Sequence, residues 1–146
     1  MSYDMPEVQI KYKTGNVQRQ KIEGAEDSYN VFRGIFDDDT IDYDESVFVV
    51  FTNRALYTIG YFKVSQGGLS GTVVDPKKIF SVALQSGATG LIIAHNHPSG
   101  NLKPSVEDKE LTTRLQQGAK ILDLTFYDHL IITSDGYYSF NEQGLI

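Results

Sequence analysis

Leu91-Ile92-Ile93-Ala94-His95-Asn96-His97-Pro98, then the polar stretch Ser99-Gly100-Asn101-Leu102-Lys103-Pro104, then Ser105-Val106-Glu107-Asp108, is the segment on which the reading of this chain turns. Four consecutive apolar residues make a short buried strand, and Pro98 ends it directly behind two histidines. Ser105 is a good helix N-cap, and Leu111, Leu115, Gly118 and Leu122 follow it on one helical face. Leu130-Ile131-Ile132 then supplies the next strand. A strand, a helix and a strand in that order are the building unit of an α/β layer.

Working outward, Asp75-Pro76 is a helix start, with Asp as N-cap and Pro at the first helical position; the helix should run to Ser86 and stop at Gly87. Before it, Ser46 to Thr52 (SVFVVFT) is β-branched and aromatic, Asn53-Arg54 turns, and Leu56 to Val64 forms a second run, so a hairpin is expected. From Glu26 to Phe36, Tyr29, Phe32, Ile35 and Phe36 recur at helical spacing, and the acidic run Asp37-Asp38-Asp39 ends that helix. Nearest the N-terminus, Val8, Ile10 and Tyr12 alternate with Gln9, Lys11 and Lys13, which predicts a half-exposed strand closed by Lys13-Thr14-Gly15-Asn16. Tyr137 to Phe140 adds a last strand after the Ser134-Asp135-Gly136 turn. With no repeat and no low-complexity linker, the expectation is a single α/β domain over residues 1–146, with a central mixed β-sheet flanked by helices. Residues 1–25 form an N-terminal strand and linker, and 26–146 the core.

Composition bounds the function. A chain of 146 residues buries roughly two-thirds of its unfolded surface and needs no stapling. It has no cysteine, which removes disulfides, thiolate nucleophiles and every cysteine-based zinc site. No apolar run reaches the roughly 20 residues of a membrane helix, and MSYDMPEVQ lacks the basic and apolar regions of a secretion signal, so a cytoplasmic protein is expected. Lys and Arg total 13 against 19 Asp and Glu, a net charge of −6 with no basic stripe, which argues against direct nucleic-acid binding. The glycine-rich SQGGLSGT, residues 65–72, fits neither phosphate-binding fingerprint and reads as a plain loop.

Chemistry gathers between His95 and Asp108. On an extended backbone residues i and i+2 point the same way, so His95 and His97 present two imidazoles together at a strand end. Asp108, in the first turn of the following helix, can reach them. Two histidines and one aspartate leave a fourth tetrahedral position for water, the arrangement of catalytic zinc. The plainer alternatives stay open on residues alone. Two histidines can share a face as hydrogen-bonded neighbours, and Ser105-x-x-Asp108 matches a capping box that needs no metal. His129, beside Asp128, reads as a packed strand histidine; the alternative is a partner that orients a ligand from behind.

His95-x-His97-Pro98, followed after six residues by Ser105-x-x-Asp108, resembles the JAMM motif of the JAB/MPN metalloprotease superfamily. Longer strings are similar to its RadC-like branch: Val64-Ser65-Gln66-Gly67-Gly68, Gly71-Thr72-Val73-Val74-Asp75-Pro76, Ala94 to Gly100, Asp128-His129-Leu130-Ile131-Ile132 and Tyr137-Tyr138-Ser139-Phe140. The resemblance covers about residues 26–146. It implies a cytidine-deaminase-like architecture, one Zn2+ per chain held by His95, His97 and Asp108, and Ser105 steadying the tetrahedral intermediate. It also implies an upstream glutamate as general base, which falls on Glu45, just before SVFVVFT. Without the resemblance Glu45 reads as a surface acid in an acidic loop. Asn96 stands where many superfamily members have Ser or Thr, as in the RadC-like branch, so no substrate preference is carried over from deubiquitinating relatives. The implied activity is a metallopeptidase cleaving a peptide or isopeptide bond.

Three rivals come from other classes. A zinc nucleobase deaminase needs a Cys-x-x-Cys pair and fails for lack of cysteine. A DNA-repair-associated protein is the second, opposed by the acidic balance. A non-catalytic MPN interaction scaffold is the third, opposed by the intact set of Glu45, His95, His97, Ser105 and Asp108. The substrate, the oligomeric state and the metal used in the cell are not written in the chain.

Overall fold

The computed structural model describes residues 4–9, 11–13, 18–67 and 73–146. Along the chain the elements are α1 (Ala25–Arg33), β1 (Ser46–Thr52), β2 (Thr58–Gln66), α2 (Pro76–Gln85), β3 (Gly90–Asn96), α3 (Val106–Ile121), β4 (Thr125–Ile132) and β5 (Tyr137–Ser139). The strands form a five-stranded mixed sheet in the order β2-β1-β3-β4-β5, with only the β3–β4 pair parallel. That parallel pair needs a crossover, and α3 provides it.

Alternation along the strands divides the core in two. Val47, Val49 and Phe51 of β1 and Leu91 and Ile93 of β3 pack with Ile79, Phe80 and Ala83 of α2 and Leu115 and Ala119 of α3. On the opposite face Val50, Ile92, Ala94, Leu130 and Ile132 meet Phe32 of α1, Phe36 and Ile41. All seven residues of β3 are buried, as expected for a central strand covered on both faces. The fold is therefore a single α/β layer structure, and β3 is its axis.

Local chemistry sets the helix ends. The Asp75 side chain accepts from the Lys77 amide with Pro76 at the first position, and Gly87 at φ +69 follows the Ser86 C-cap. Gly118 allows α3 to lie against α2: a Cβ there would stand 2.5 Å from the Phe80 ring. The first helix stops at Arg33, three residues short of the expected Phe36. Gly34 takes the C-cap, and Ile35 and Phe36 continue only as a turn bonded to the Phe32 carbonyl.

The strand expected around Val8 to Tyr12 does not form among the described residues. Met5 and Val8 are more than four-fifths exposed, so the alternation finds no face to bury. Ile10 and the turn at 14–17 lie outside the described residues, as does most of the SQGGLSGT loop. Among the described residues this arm pairs with the sheet through one isolated bridge, from Lys21 to Tyr57. No described helix is long and apolar enough to cross a membrane.

Candidate metal centre

Strand register assembles the site. Val47 of β1 faces His95 of β3 in an antiparallel pair, so both side chains share the α2–α3 face. Two residues before Val47, just ahead of β1, lies Glu45, and two after His95, just past β3, lies His97. Period-two alternation puts all of them on that face. The His97 amide donates to the Ile132 carbonyl of β4 at 3.0 Å, so the chain is still held where β3 ends. The His97 Nδ1 faces the Asn101 carbonyl at 2.6 Å, the loop having turned back behind Pro98.

From the other side α3 delivers Asp108. Its amide donates to Ser105 Oγ at 3.0 Å, and the Ser105 amide donates to Asp108 Oδ2 at 2.8 Å, a complete capping box. The same carboxylate reaches both imidazoles: Oδ1 lies 3.2 Å from His95 Nε2 and Oδ2 3.4 Å from His97 Nε2. Capping and convergence, which competed as readings of the sequence, are both present. Glu45 Oε1 stands 3.9 Å from His95 Nε2, and Glu45, His95 and His97 each place a donor atom within 4.8 Å of the others. Every residue expected in the metal site or as its base therefore meets at one end of β3. Ser105 is present at the rim as the cap of α3; its oxygen accepts from Asp108 and its proton is left for a second partner.

His129 belongs to this cluster although the sequence reading left it out. It is fully buried, stacked on Phe140 at 4.5 Å, and its Nε2 lies 2.7 Å from His95 Nδ1. Its Nδ1 lies 2.6 Å from Thr112 Oγ1, and that hydroxyl donates to the Asp108 carbonyl at 3.0 Å. A carbonyl only accepts, so the Thr112 proton is spent and His129 Nδ1 must be the donor to the threonine oxygen. Burial, and after it the nearby His95, holds the His129 pKa well below its ordinary value, so the ring is neutral and its Nε2 is bare. It follows that His95 donates through Nδ1. The Nε2 atoms of His95 and His97 then face each other at 2.9 Å, with the Asp108 carboxylate beside them. His97 is turned the same way by its Nδ1 contact with the Asn101 carbonyl.

Asp128, the neighbour that drew attention to His129, works elsewhere. It sits on the other side of β4, accepting from Ser139 Oγ and from the amides of Asn141 and His129. The signal that would have found His129 is its parallel pairing with Ile93 of β3, and Thr112 lies one helical turn beyond Asp108. Neither relation is visible before the strand order is known.

Two imidazole nitrogens 2.9 Å apart face a carboxylate here, and a cation bound among them would displace any proton they carry. Burial would raise the Asp108 carboxyl, but bonds from His95 and His97 outweigh it and hold the group well below the usual carboxylate range. His97 is held above its ordinary value although burial opposes this, because Asp108 and the Asn101 carbonyl favour its charged form. Burial raises the Glu45 carboxyl, against the pull of both histidines, as suits a group that takes up and releases a proton. The spacing is of the size a metal site needs: His95 Nε2 and His97 Nε2 are 2.9 Å apart, with Asp108 Oδ1 3.2 Å from the first and Asp108 Oδ2 3.4 Å from the second, against about 3.3 Å between ligands of a tetrahedral ion with bonds of about 2.05 Å. Glu45, His95 and His97, with Asp108 beside them, could hold a metal ion.

Residues 22–145 match the family model described as a RadC-like JAB domain. The chain is 40% identical over 126 residues to a UPF0758 protein of Flavobacterium johnsoniae, covering 86% of this chain and 54% of that one. It is 33% identical over 131 residues to a UPF0758 protein of Chlorobaculum parvum, covering 90% and 57%. With a UPF0758 protein of Salinibacter ruber it shares 42% identity over 106 residues, covering 72% and 46%. The chain thus spans about half the length of the curated relatives it matches.

Proposed function

Because the chain belongs to the RadC-like JAB domain family, we propose that it is a zinc-dependent metallohydrolase, a metallopeptidase cleaving a peptide or isopeptide bond. One observation carries the reading: His95 Nε2, His97 Nε2 and the Asp108 carboxylate converge on one point, and a second carboxylate, Glu45, stands 3.9 Å from His95 Nε2. Three protein ligands and a nearby acid match a catalytic arrangement rather than a closed structural one.

A zinc ion held by His95, His97 and Asp108 would supply Lewis acidity, making water acidic near neutral pH and polarising the scissile carbonyl. Glu45 then has the work of a general base. Its carboxylate takes a proton from the attacking water and returns it to the leaving amine, a role that its partial burial and raised pKa suit. The Ser105 hydroxyl, with its oxygen already accepting from Asp108, has its proton free for the oxygen on which charge develops. His129 keeps the His95 ring in the tautomer that ligation requires.

The substrate we propose is a peptide or protein rather than nucleic acid, in keeping with the net charge of −6; duplex binding that falls steeply with salt would overturn that part. The test of the reaction is Glu45→Gln against a library of peptides and isopeptide-linked conjugates, with zinc content measured by elemental analysis. Wild type should carry about one zinc per chain and cleave; Glu45→Gln should keep the zinc and lose cleavage. Wild-type protein that binds no zinc when it is offered, or a Glu45→Gln variant that cleaves as well as wild type, defeats the proposal.

A further inference from the structure

Glu45 sits at the end of a loop whose own bonds are turns, with one edge tied to the end of β2: the Gly67 amide donates to the Glu45 carbonyl at 2.8 Å and Gln66 Nε2 to Asp44 Oδ2 at 2.8 Å. Residues 38–44 are turns and a bend, and Asp37, Asp38, Asp39, Asp42 and Tyr43 are exposed. Within this described loop Ile41 alone is buried, in the apolar core beneath. Yet the base must stay within hydrogen-bond reach of one water molecule, and a drift of about 1 Å can cost on the order of 100-fold in rate.

A buried tie is added from the far side of β3. Asn96 is 1% exposed and lies between the two histidines, so its side chain points to the α1 face while theirs point to the α2–α3 face. Its Nδ2 donates to the carbonyls of Ile41 and Asp44, each at 2.7 Å, and its Oδ1 accepts from the Ser46 amide at 2.8 Å. These partners bracket Glu45 on both sides, and all lie 50 or more residues from Asn96 in sequence. We propose that Asn96 is a positioning residue that fixes Glu45 relative to the metal-binding cluster, a role that rests on the reading of Glu45 as the base. The residue type fits the task closely. An amide offers two donors and an acceptor in one short side chain, and all three functions are engaged. A serine offers one donor and cannot serve both carbonyls; an aspartate offers none and would turn an oxygen toward them. Two consecutive residues of one strand end therefore divide the work, His95 facing the metal site and Asn96 holding the loop that carries the base.

Amide hydrogen exchange on the full chain, followed residue by residue by NMR, tests this without any substrate. In wild type the Ser46 amide should exchange slowly, in step with the amides of β1; exchange at the rate of an open loop overturns the proposal with no variant needed. In Asn96→Ser, exchange at Ser46 should rise by about tenfold or more, the loss expected from buried bonds of this kind, while amides of β4 such as Leu130 keep their wild-type rates. Unchanged exchange at Ser46, or an equal rise throughout the sheet, overturns it. Zinc content should stay at wild-type level, and zinc lost from Asn96→Ser would move the residue from holding the loop to holding the metal. Glu45→Gln separates the two readings: it should leave Ser46 exchange untouched, so cleavage surviving in that variant would sink the base while the clamp is judged on exchange alone.

Discussion

Asp108 is asked to do two things, and they can be pulled apart. Ser105→Ala and Asp108→Ala each break one of the two reciprocal bonds of the capping box, the first that from the Asp108 amide at 3.0 Å and the second that from the Ser105 amide at 2.8 Å. A lost N-cap costs about 1 kcal/mol, and for a domain of this size that lowers Tm by about 3–4 °C. Without metal the two variants should therefore resemble each other, with Asp108→Ala somewhat worse because it also removes the carboxylate that faces both imidazoles. Zinc should separate them. A ligand at 100 times its dissociation constant adds about 2.7 kcal/mol to the native state, so wild type should gain about 8–11 °C. Ser105→Ala should gain the same from its lower start, and Asp108→Ala should gain nothing. Differential scanning fluorimetry of the three proteins with and without zinc, after chelator treatment, reads these shifts. A full zinc shift in Asp108→Ala would reduce the carboxylate to a helix cap, and the absence of a shift in wild type would remove the metal from the site altogether.

Further outcomes follow from other parts of the molecule. His129 is neutral in the native state because burial, and then His95, depresses its pKa, whereas a free imidazole titrates near 6.5. The unfolded chain therefore binds the extra proton, and the stability this neutral ring contributes is complete above pH 6.5 and lost as pH falls below it. In metal-free protein the loss by about pH 5 is up to about 2 kcal/mol by urea titration; His129→Gln should flatten that slope, and equal slopes would contradict the assignment. Glu45, whose carboxyl burial raises above 4.5, acts in the opposite sense and at lower pH, where its native form holds a proton that the unfolded chain has already released. That excess of native-state protons lets Glu45 favour the fold as pH falls through its range, partly offsetting the loss at His129. Gly118→Ala should destabilise the fold by about 1–2 kcal/mol in the same titration, since a Cβ 2.5 Å from the Phe80 ring forces repacking that outweighs the better helix propensity of alanine. A more stable Gly118→Ala would mean that the ring can step aside freely.

How far the chain could be read depended on the range of the interactions concerned. SVFVVFT is β1 from first residue to last, and Asp75-Pro76 starts α2, because β-branched runs and caps act over a few residues. The convergence of His95, His97 and Asp108 was legible for the same reason, since one strand end and the next helix start lie within 14 residues. The alternation of Val8 and Tyr12 misled because a strand needs a partner, and the bridge to the sheet forms farther on, at Lys21. Asn96 looked only like a change of residue type at a known motif. Its contacts with Ile41, Asp44 and Ser46 follow from the antiparallel pairing of β1 with β3, which no local pattern reports. His129 was hidden in the same way, behind the parallel pairing of β3 with β4 and a turn of α3.

The position of β3 decides how the site can fail. The strand is bonded to a neighbour on each edge and covered on each face, so water reaches its amides only when the whole sheet comes apart. His95 and Asn96 inherit that protection. Heating or denaturant should leave their spacing intact until the cooperative transition and abolish it there. A change that lengthens the lifetime of the folded sheet, even one distant from Glu45 and His97, should lengthen the time for which His95 keeps its place.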